Sequence, residues 1–412
     1  MLNVKWRPIA IIVAVLLLVH FLVLSPYLEA TSATRGSKAD GKIDGQAPEF
    51  IVPGNKGAEF DVKHPLPVTV TVTRGDGPAY TETRVVKETV YATEDGPKDL
   101  EKASAAFVVL TRNKDLKDLR ETLVQLEDRF NRRYHYPYVF LNNQPFSDEF
   151  KEKISSVVSG DCEFGLIPTE HWSYPDFINQ TRAAEARKDM AERKIIYGGN
   201  ESYRHMCRYE SGFFFRHPLM DKYKWYWRVE PGVKFACDID YDPFMFMQKN
   251  NKKYGFTISI KEYIETIPTL WQTTKDFMKE HKDLVPSTNM MDFVTDKNGG
   301  YNRCHFWSNF EIGSLDFLRS EQYLSYFEYL DKAGGFFYER WGDAPVHSLG
   351  VAMFLNKSEV HWFEDIGYYH GPLWNCPKGA ANKKCWCPEE ESIEIKNKGW
   401  SCTLNFVDLL NP

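Results

Sequence analysis

Between Tyr301 and His370 the chain concentrates side chains that can do chemistry. The segment reads YNRCHFWSNFEIGSLDF and, further on, GGFFYERWGDAPVHSLGVAMFLNKSEVHWFEDIGYYH. Carboxylates and imidazoles set among aromatic planes are the groups that stack sugar rings and hold a metal or a reacting centre. Glu311 sits amid Phe306, Trp307, Phe310 and Ile312, where a charge is costly unless it is paired or functional. Asp343 lies in Glu339-Arg-Trp-Gly-Asp343-Ala-Pro-Val-His347, and His370 in Asp365-Ile-Gly-Tyr-Tyr-His370-Gly-Pro372. Gly342, Gly367 and Gly371 permit tight turns that could aim Asp343 and His370 into a cleft. The plain structural alternatives are a capping or salt-bridged Glu311 and histidines satisfied within the fold.

A second constellation runs Arg228-Val-Glu-Pro-Gly-Val-Lys-Phe-Ala-Cys-Asp-Ile-Asp-Tyr-Asp242. Asp238 and Asp240 stand two apart, so in a strand both point to one face. Such a pair at a strand end can hold a divalent cation on a nucleotide-sugar pyrophosphate, or it can be a solvated acidic turn. Glu230 is the rival ligand, because Pro231-Gly232 fix an exposed turn that would present its carboxylate. Other catalytic classes fit less well. No G-x-G-x-x-G, P-loop, H-E-x-x-H or G-x-S-x-G is present. With 51 basic and 57 acidic residues the net charge is 51 − 57 = −6. That mild acidity excludes the basic footprint of a nucleic-acid binder.

The elements that must position these residues begin near Ala105. Ala105–Arg112 is a short apolar run suited to a strand buried on both faces. Leu116, Leu119, Leu123, Leu126 and Phe130 then recur at helical spacing. Tyr138–Leu141 reads as a second strand and 148–158 as a second helix. Strand, helix, strand, helix predicts an α/β domain whose parallel sheet is covered by helices. Ligands of such sheets sit at the carboxyl ends of the strands. Thr111, Arg112 and Asn113 lie at that end of the first strand, with Arg112 either a nucleotide contact or a surface charge. Further helices are expected over 260–281 and 314–332.

Upstream, the apolar run Ile9–Leu24 continues to Leu28 and is preceded by Lys5 and Arg7. This reads as an uncleaved single-pass anchor with a cytosolic N-terminus rather than a cleaved signal peptide, since no clear small-x-small site follows. Residues 29–98 have linker composition, a stem read as extended and Thr-rich. A small hairpin between 68–73 and 83–91 is the alternative. The domain reading is therefore tail 1–8, anchor 9–28, stem 29–98 and catalytic domain 99–412. All eight cysteines lie beyond the anchor, an even number that suits disulfides in an oxidising compartment. Zinc is disfavoured, because Cys385-Trp-Cys387 lacks the usual two-residue gap. Asn179, Asn200 and Asn356 open glycosylation sequons.

From about Ala105 to the C-terminus the chain resembles the fungal α-1,2-mannosyltransferases of glycosyltransferase family 15, the Kre/Mnt/Ktr group. The resemblance is dense in SGFFFRHPL and YWRVEPGVKFACDIDYDPF, in YNRCHFWSNFEIGSLD, and from Gly335 to His370. It implies a GT-A-like nucleotide-sugar transferase fold, a mixed central sheet flanked by helices behind an N-terminal membrane anchor and stem. It also implies Mn²⁺ as cofactor, GDP-mannose as donor and a mannose-terminated glycan, N- or O-linked, as acceptor. Transfer to the 2-hydroxyl would retain the α configuration. Localisation would be the Golgi membrane, type II, with the catalytic domain luminal. By the same resemblance, Glu311 of FEI is the nucleophile or only a stabiliser of positive charge on the sugar, and His370 of GYYH is a metal ligand. Glu230 of Glu-Pro-Gly does the work of D-x-D and demotes Asp238 and Asp240 to second choice. Asp343 orients or deprotonates the acceptor hydroxyl. Arg112, Arg228, Glu230 and Tyr203 are the candidate residues for binding the nucleotide sugar. The competing readings are a mannosylphosphate transferase on the same scaffold and a luminal mannan-binding protein without catalysis.

Overall fold

The computed structural model describes residues 101–411, together with two short strands at 68–72 and 80–84. The chain divides into two units, Met1–Thr89 and Val90–Pro412. In the first, β1 (Val68–Val72) pairs antiparallel with β2 (Tyr80–Arg84), Val68 opposite Arg84. This corrects the expectation of an unpaired stretch and sets the second strand earlier than 83–91. Val-Thr-Val-Thr-Val before Gly75-Asp76-Gly77-Pro78 and Tyr-Thr-Glu-Thr after it favour such a pairing. The anchor at 9–28 and the rest of the stem lie outside the described residues. Among the described residues no helix is long and apolar enough to cross a membrane.

The second unit carries β3 (Ala105–Leu110), β4 (Tyr138–Asn142), β5 (Cys162–Leu166), β6 (Trp225–Arg228) and β7 (Lys234–Phe235). It continues with β8 (Tyr254–Phe256), β9 (Ser259–Lys261), β10 (Cys304–Phe306) and β11 (Ile312–Ser314). The last strands are β12 (Val360–Trp362), β13 (Tyr368–His370) and β14 (Leu373–Asn375). Seven of these form a mixed sheet in the order β12-β8-β11-β6-β3-β4-β5. β6, β3, β4 and β5 run parallel, whereas β11 is antiparallel to both β6 and β8. Both faces are covered. Ala106 and Val108 enter one apolar core while Phe107 and Val109 enter the other, the period-two alternation of a strand buried on both sides.

The opening strand–helix–strand–helix expectation holds, with helices at Leu116–Leu126 and Asp148–Ser155. The expected helix over 260–281 does not begin until Leu270. Its first residues instead belong to β9, which pairs with β10, and Pro268 blocks any helix from running through. Likewise 314–332 breaks into Leu315–Leu318 and Glu321–Ala333, because Ser320 caps the second helix by accepting from the Tyr323 N–H. The three sequon asparagines are all helix caps. Asn179, Asn200 and Asn356 accept from the N–H groups of Arg182, Tyr203 and Ser358.

Six cysteines pair as Cys237–Cys385, Cys304–Cys402 and Cys376–Cys387, leaving Cys162 and Cys207 as thiols. Cys385 and Cys387, the pair weighed above as zinc ligands, belong to two separate disulfides. Beside the main sheet stands a smaller one in the order β14-β13-β7. It matters for function because it ties the turn after β6 to the far C-terminal region.

Candidate active site

β6 ends at Arg228 and runs straight into the Glu230-Pro231-Gly232 turn. Gly232 takes φ 85°, the left-handed backbone that glycine adopts without strain. Its N–H donates to the Thr122 hydroxyl, which in turn donates to the Val233 carbonyl, so the helix Leu116–Leu126 clamps the turn. The chain then enters β7, against which β13 runs antiparallel, Lys234 opposite Tyr369 and Phe235 opposite Tyr368. The next residue of β13 is His370, and this pairing delivers it to the turn. His370 Nε2 lies 3.4 Å from Glu230 Oε2, and the Trp307 ring stands edge-on to the imidazole.

Arg228 is the hub of the site. Its Nη2 donates to Glu230 Oε1 at 2.6 Å and its Nη1 to Asp343 Oδ2 at 2.6 Å, while Glu210 lies 3.8 Å away. Asp343 opens the buried helix Asp343–Phe354, where the helix dipole favours a negative charge. The Ser308 hydroxyl also donates to its Oδ2 at 2.6 Å, while Oδ1 has no protein donor among the described residues. Burial opposes the Asp343 charge, but Arg228, His347 and Ser308 outweigh it and lower its pKa. Burial likewise opposes the Glu230 charge, yet Arg228 and His370 bring its pKa down to about 2. Glu210 is pushed up to about 7 by burial, with Arg228 opposing. Three carboxyl groups thus surround one guanidinium, an arrangement that favours arrival of a further cation.

Two cavities meet on this hub. One, of about 490 Å³, is lined by Arg228, Glu230, Asp343, His370 and Tyr203. The other, of about 200 Å³, lies at the carboxyl ends of β3 and β4 and is lined by Thr111, Arg112, Asn142 and Glu210; Arg228 and Glu230 belong to both. Strand ends of this kind are where open α/β sheets bind their ligands. Arg112, Arg228, Glu230, Tyr203, Asp343 and His370 are therefore brought to one continuous site. Arg112 Nη2 donates to Ser202 Oγ at 2.6 Å, and the Tyr203 ring stacks on Tyr197.

Two expectations fall outside that site. Asp238 pairs with Arg129 at 2.6 Å and Asp240 with Lys384, both on the exposed surface and away from either cavity. Glu311 is 0% exposed and lines neither cavity. Its Oε1 accepts from Tyr254 OH and His347 Nδ1, each at 2.7 Å, and its Oε2 from Tyr226 OH at 3.0 Å. The cause is topological. Glu311 immediately precedes β11, and its carbonyl accepts from the Arg228 N–H, so it is locked inside the sheet beneath the hub.

His347 was present in the motif but unassigned. It lies one helical turn after Asp343, so both face the same way. Its Nε2 is 3.1 Å from the Glu210 carbonyl, so both ring nitrogens meet acceptors, as a charged imidazolium requires. Glu210, Ser308, Arg340, Glu262 and His305 are further site residues that no sequence motif singled out.

His370 and Glu230 fit a shared ion. Their facing atoms are separated by 3.4 Å, close to the ~3 Å between neighbouring ligands of a small octahedral cation. An imidazole with a carboxylate suits Mn²⁺ better than Mg²⁺. With these two residues as its protein ligands, such an ion would be left able to bind a diphosphate and water.

The glycolipid 2-alpha-mannosyltransferase family model matches residues 77–411. The chain belongs to that family. The match begins within the stem region, earlier than the resemblance from Ala105 onward. The alpha-1,2 mannosyltransferase KTR1 of Saccharomyces cerevisiae is 53% identical over 350 residues, covering 84% of this chain and 86% of that protein. The glycolipid 2-alpha-mannosyltransferase 1 of Candida albicans is 56% identical over 313 residues, 76% of this chain and 73% of its own. Among solved structures, core-mannan synthase A (CmsA/Ktr4) of Aspergillus fumigatus, in a Mn/GDP form, superposes with a TM-score of 0.72 at 39% identity. It covers 82% of this chain and 97% of that one. Ktr4p of S. cerevisiae in complex with GDP gives 0.71 at 42% identity, covering 74% and 82%. The mixed α/β sheet is thus the glycosyltransferase fold of this mannosyltransferase family.

Proposed function

We propose that this protein transfers mannose from GDP-mannose to the 2-hydroxyl of a mannose acceptor, with Mn²⁺ as cofactor and retention of the α configuration. The observation that carries the reading is the hub: one guanidinium, Arg228, joins the Glu230–His370 pair to Asp343 across the floor of the cavity. His370 and Glu230 would hold the metal, which when bound neutralises charge growing on the departing diphosphate. Arg112 and the ends of β3 and β4 receive the nucleoside, in keeping with relatives solved with GDP. Asp343 keeps an unengaged Oδ1 at the cavity, suited to accept a hydrogen bond from the acceptor hydroxyl and orient it. Its lowered pKa makes it a better orienting acceptor than a strong base.

Retention is best read as a same-face displacement. A covalent route through Glu311 needs a carboxylate oxygen at the reacting carbon, and both of its oxygens are committed to Tyr226, Tyr254 and His347. Glu311 is then a positioning residue that holds the underside of the hub. We read the mixed sheet as GT-A-like. The apolar run 9–28 would serve as a type II Golgi anchor, with 29–98 as stem and 99–412 luminal, where three disulfides suit an oxidising lumen. An O-linked chain is one candidate acceptor, since the O-glycoside alpha-1,2-mannosyltransferase omh1 of Schizosaccharomyces pombe is 53% identical over 307 residues.

The test is incubation of the purified protein with GDP-mannose, Mn²⁺ and α-methylmannoside, followed by linkage analysis. An α-1,2-linked disaccharide is expected. No product, or a mannosylphosphate, would overturn the reading.

A further inference from the structure

The strand that carries the hub has another cavity at its opposite end. β6 starts at Trp225 and finishes at Arg228; Arg228 lines the catalytic cavity, whereas Trp225 lines a separate one of about 570 Å³. Its floor is aromatic, formed by the largely buried side chains of Trp225, Phe317 and Phe354. Around that floor stand the amides of Gln248, Asn251 and Gln322, which meet no protein hydrogen-bond partner among the described residues. Such a lining suits a sugar, with the rings against its apolar C–H face and the amides against its polar groups. The proposed transfer uses none of these residues.

The wall of this cavity carries its own source of sugar. Leu355 and Glu359 line it, and between them in the chain comes Asn356, which opens the sequon Asn356-Lys-Ser358. The Asn356 N–H donates to Glu359 Oε2 at 2.8 Å, and Asn356 Oδ1 accepts from the N–H and the hydroxyl of Ser358 at 3.0 and 3.2 Å. Nδ2, the atom that an N-linked sugar occupies, makes no hydrogen bond among the described residues, so its substitution removes none of these contacts. Asn356 is half-buried, not sealed. The sequon at Asn200 is placed differently. Its Ser202 hydroxyl accepts from Arg112 Nη2, and the adjacent Tyr203 lines the catalytic cavity, where an attached glycan would crowd the site.

We infer that Asn356 carries an N-linked glycan whose first N-acetylglucosamine lies in the cavity at the Trp225 end of β6. The donor is an oligosaccharide on a polyprenyl diphosphate. The bond from its anomeric carbon to the diphosphate oxygen breaks as one to Nδ2 forms; Nδ2 releases a proton and the lipid diphosphate leaves. The inference rests on the reading of this domain as luminal, because such donors are used on the luminal side of secretory membranes. Attachment at this end of the sheet leaves the catalytic cavity clear.

The experiment expresses the full chain in yeast and treats the denatured protein with peptide N-glycosidase F in heavy-oxygen water. This converts an occupied asparagine into a mass-tagged aspartate for peptide mapping. Asn356 should be tagged in most molecules of the wild type and of Ser358→Thr, and in none of Ser358→Ala. Thermal melting of the untreated proteins reads the seating of the sugar. Ser358→Ala should melt about 2 °C or more below Ser358→Thr, and adding Gln322→Ala with Asn251→Ala should at least halve that gap. A tag at Asn179 or Asn200 with Asn356 bare would overturn the inference alone, as would a tagged Asn356 with no gap in melting between the two Ser358 variants. No tag at any of the three sequons would overturn the luminal reading and the inference with it.

Discussion

Two acid clusters lie back to back in this molecule and differ in one respect. Around Glu311, both carboxylate oxygens meet donors, Oε1 from Tyr254 and His347 and Oε2 from Tyr226, and the residue is sealed from solvent. Around Arg228, Glu230 and Asp343 keep unfilled acceptor capacity at a cavity, and His370 approaches without completing a normal hydrogen bond. A carboxylate whose partners are all internal stabilises a particular core. One with open capacity awaits a ligand. Both clusters come from motifs equally rich in acids and aromatics, so richness alone does not separate scaffold from site.

The largest effect should come from the sealed cluster. Glu311→Ala leaves the His347 charge buried without its partner, which should cost roughly 3–5 kcal/mol of stability, read by urea unfolding. Adding His347→Leu should recover part of the loss, a coupling of about 1–3 kcal/mol. Full stability in Glu311→Ala with transfer abolished would move Glu311 back to the reacting centre. On the open side, Asp343→Asn should lower kcat about 10²–10³-fold with GDP binding kept, measured by steady-state kinetics. A change confined to the donor KM would show that Asp343 serves the nucleotide instead.

The pH response sharpens the contrast further. Burial works against the His347 charge, but Glu311 and Asp343 outweigh it and hold its pKa above 6.5. The groups facing it include Glu311, Asp343, Arg228 and the Tyr323 ring. A raised folded-state pKa contributes stability that is fully present below about pH 6.5 and is lost as pH rises through the folded value. Wild-type stability should therefore fall with rising pH across that window relative to His347→Gln; parallel profiles would remove the imidazolium. The smallest effect is expected at the surface. Asp238→Asn and Asp240→Asn should each change stability by less than about 1 kcal/mol and leave Mn²⁺-dependent GDP binding as it was.

Much of this was legible in the chain. Glu-Pro-Gly advertises its turn because Gly232 adopts a backbone that favours glycine. The local βαβ start was visible for the same reason, since its periodicities lie in adjacent residues. What could not be read were the non-local pairings. Nothing near His370 says that β13 will lie against β7, and nothing near Ile260 says that it will be a strand between β10 and the 400–402 segment. The surroundings of Glu311 could not be read either, because the two tyrosines and the histidine that enclose it come from separate elements. Arg340 and Glu262 were invisible because their place at the cavity exists only in three dimensions.

The account stands or falls on the Glu230–His370 pair as the place where metal and diphosphate meet. Calorimetric titration of GDP into the protein, with and without Mn²⁺, addresses this directly. The wild type should bind GDP at least tenfold more tightly with Mn²⁺ present, and His370→Ala should erase that gain while keeping the metal-free affinity. The same Mn²⁺ enhancement in His370→Ala as in the wild type would contradict it.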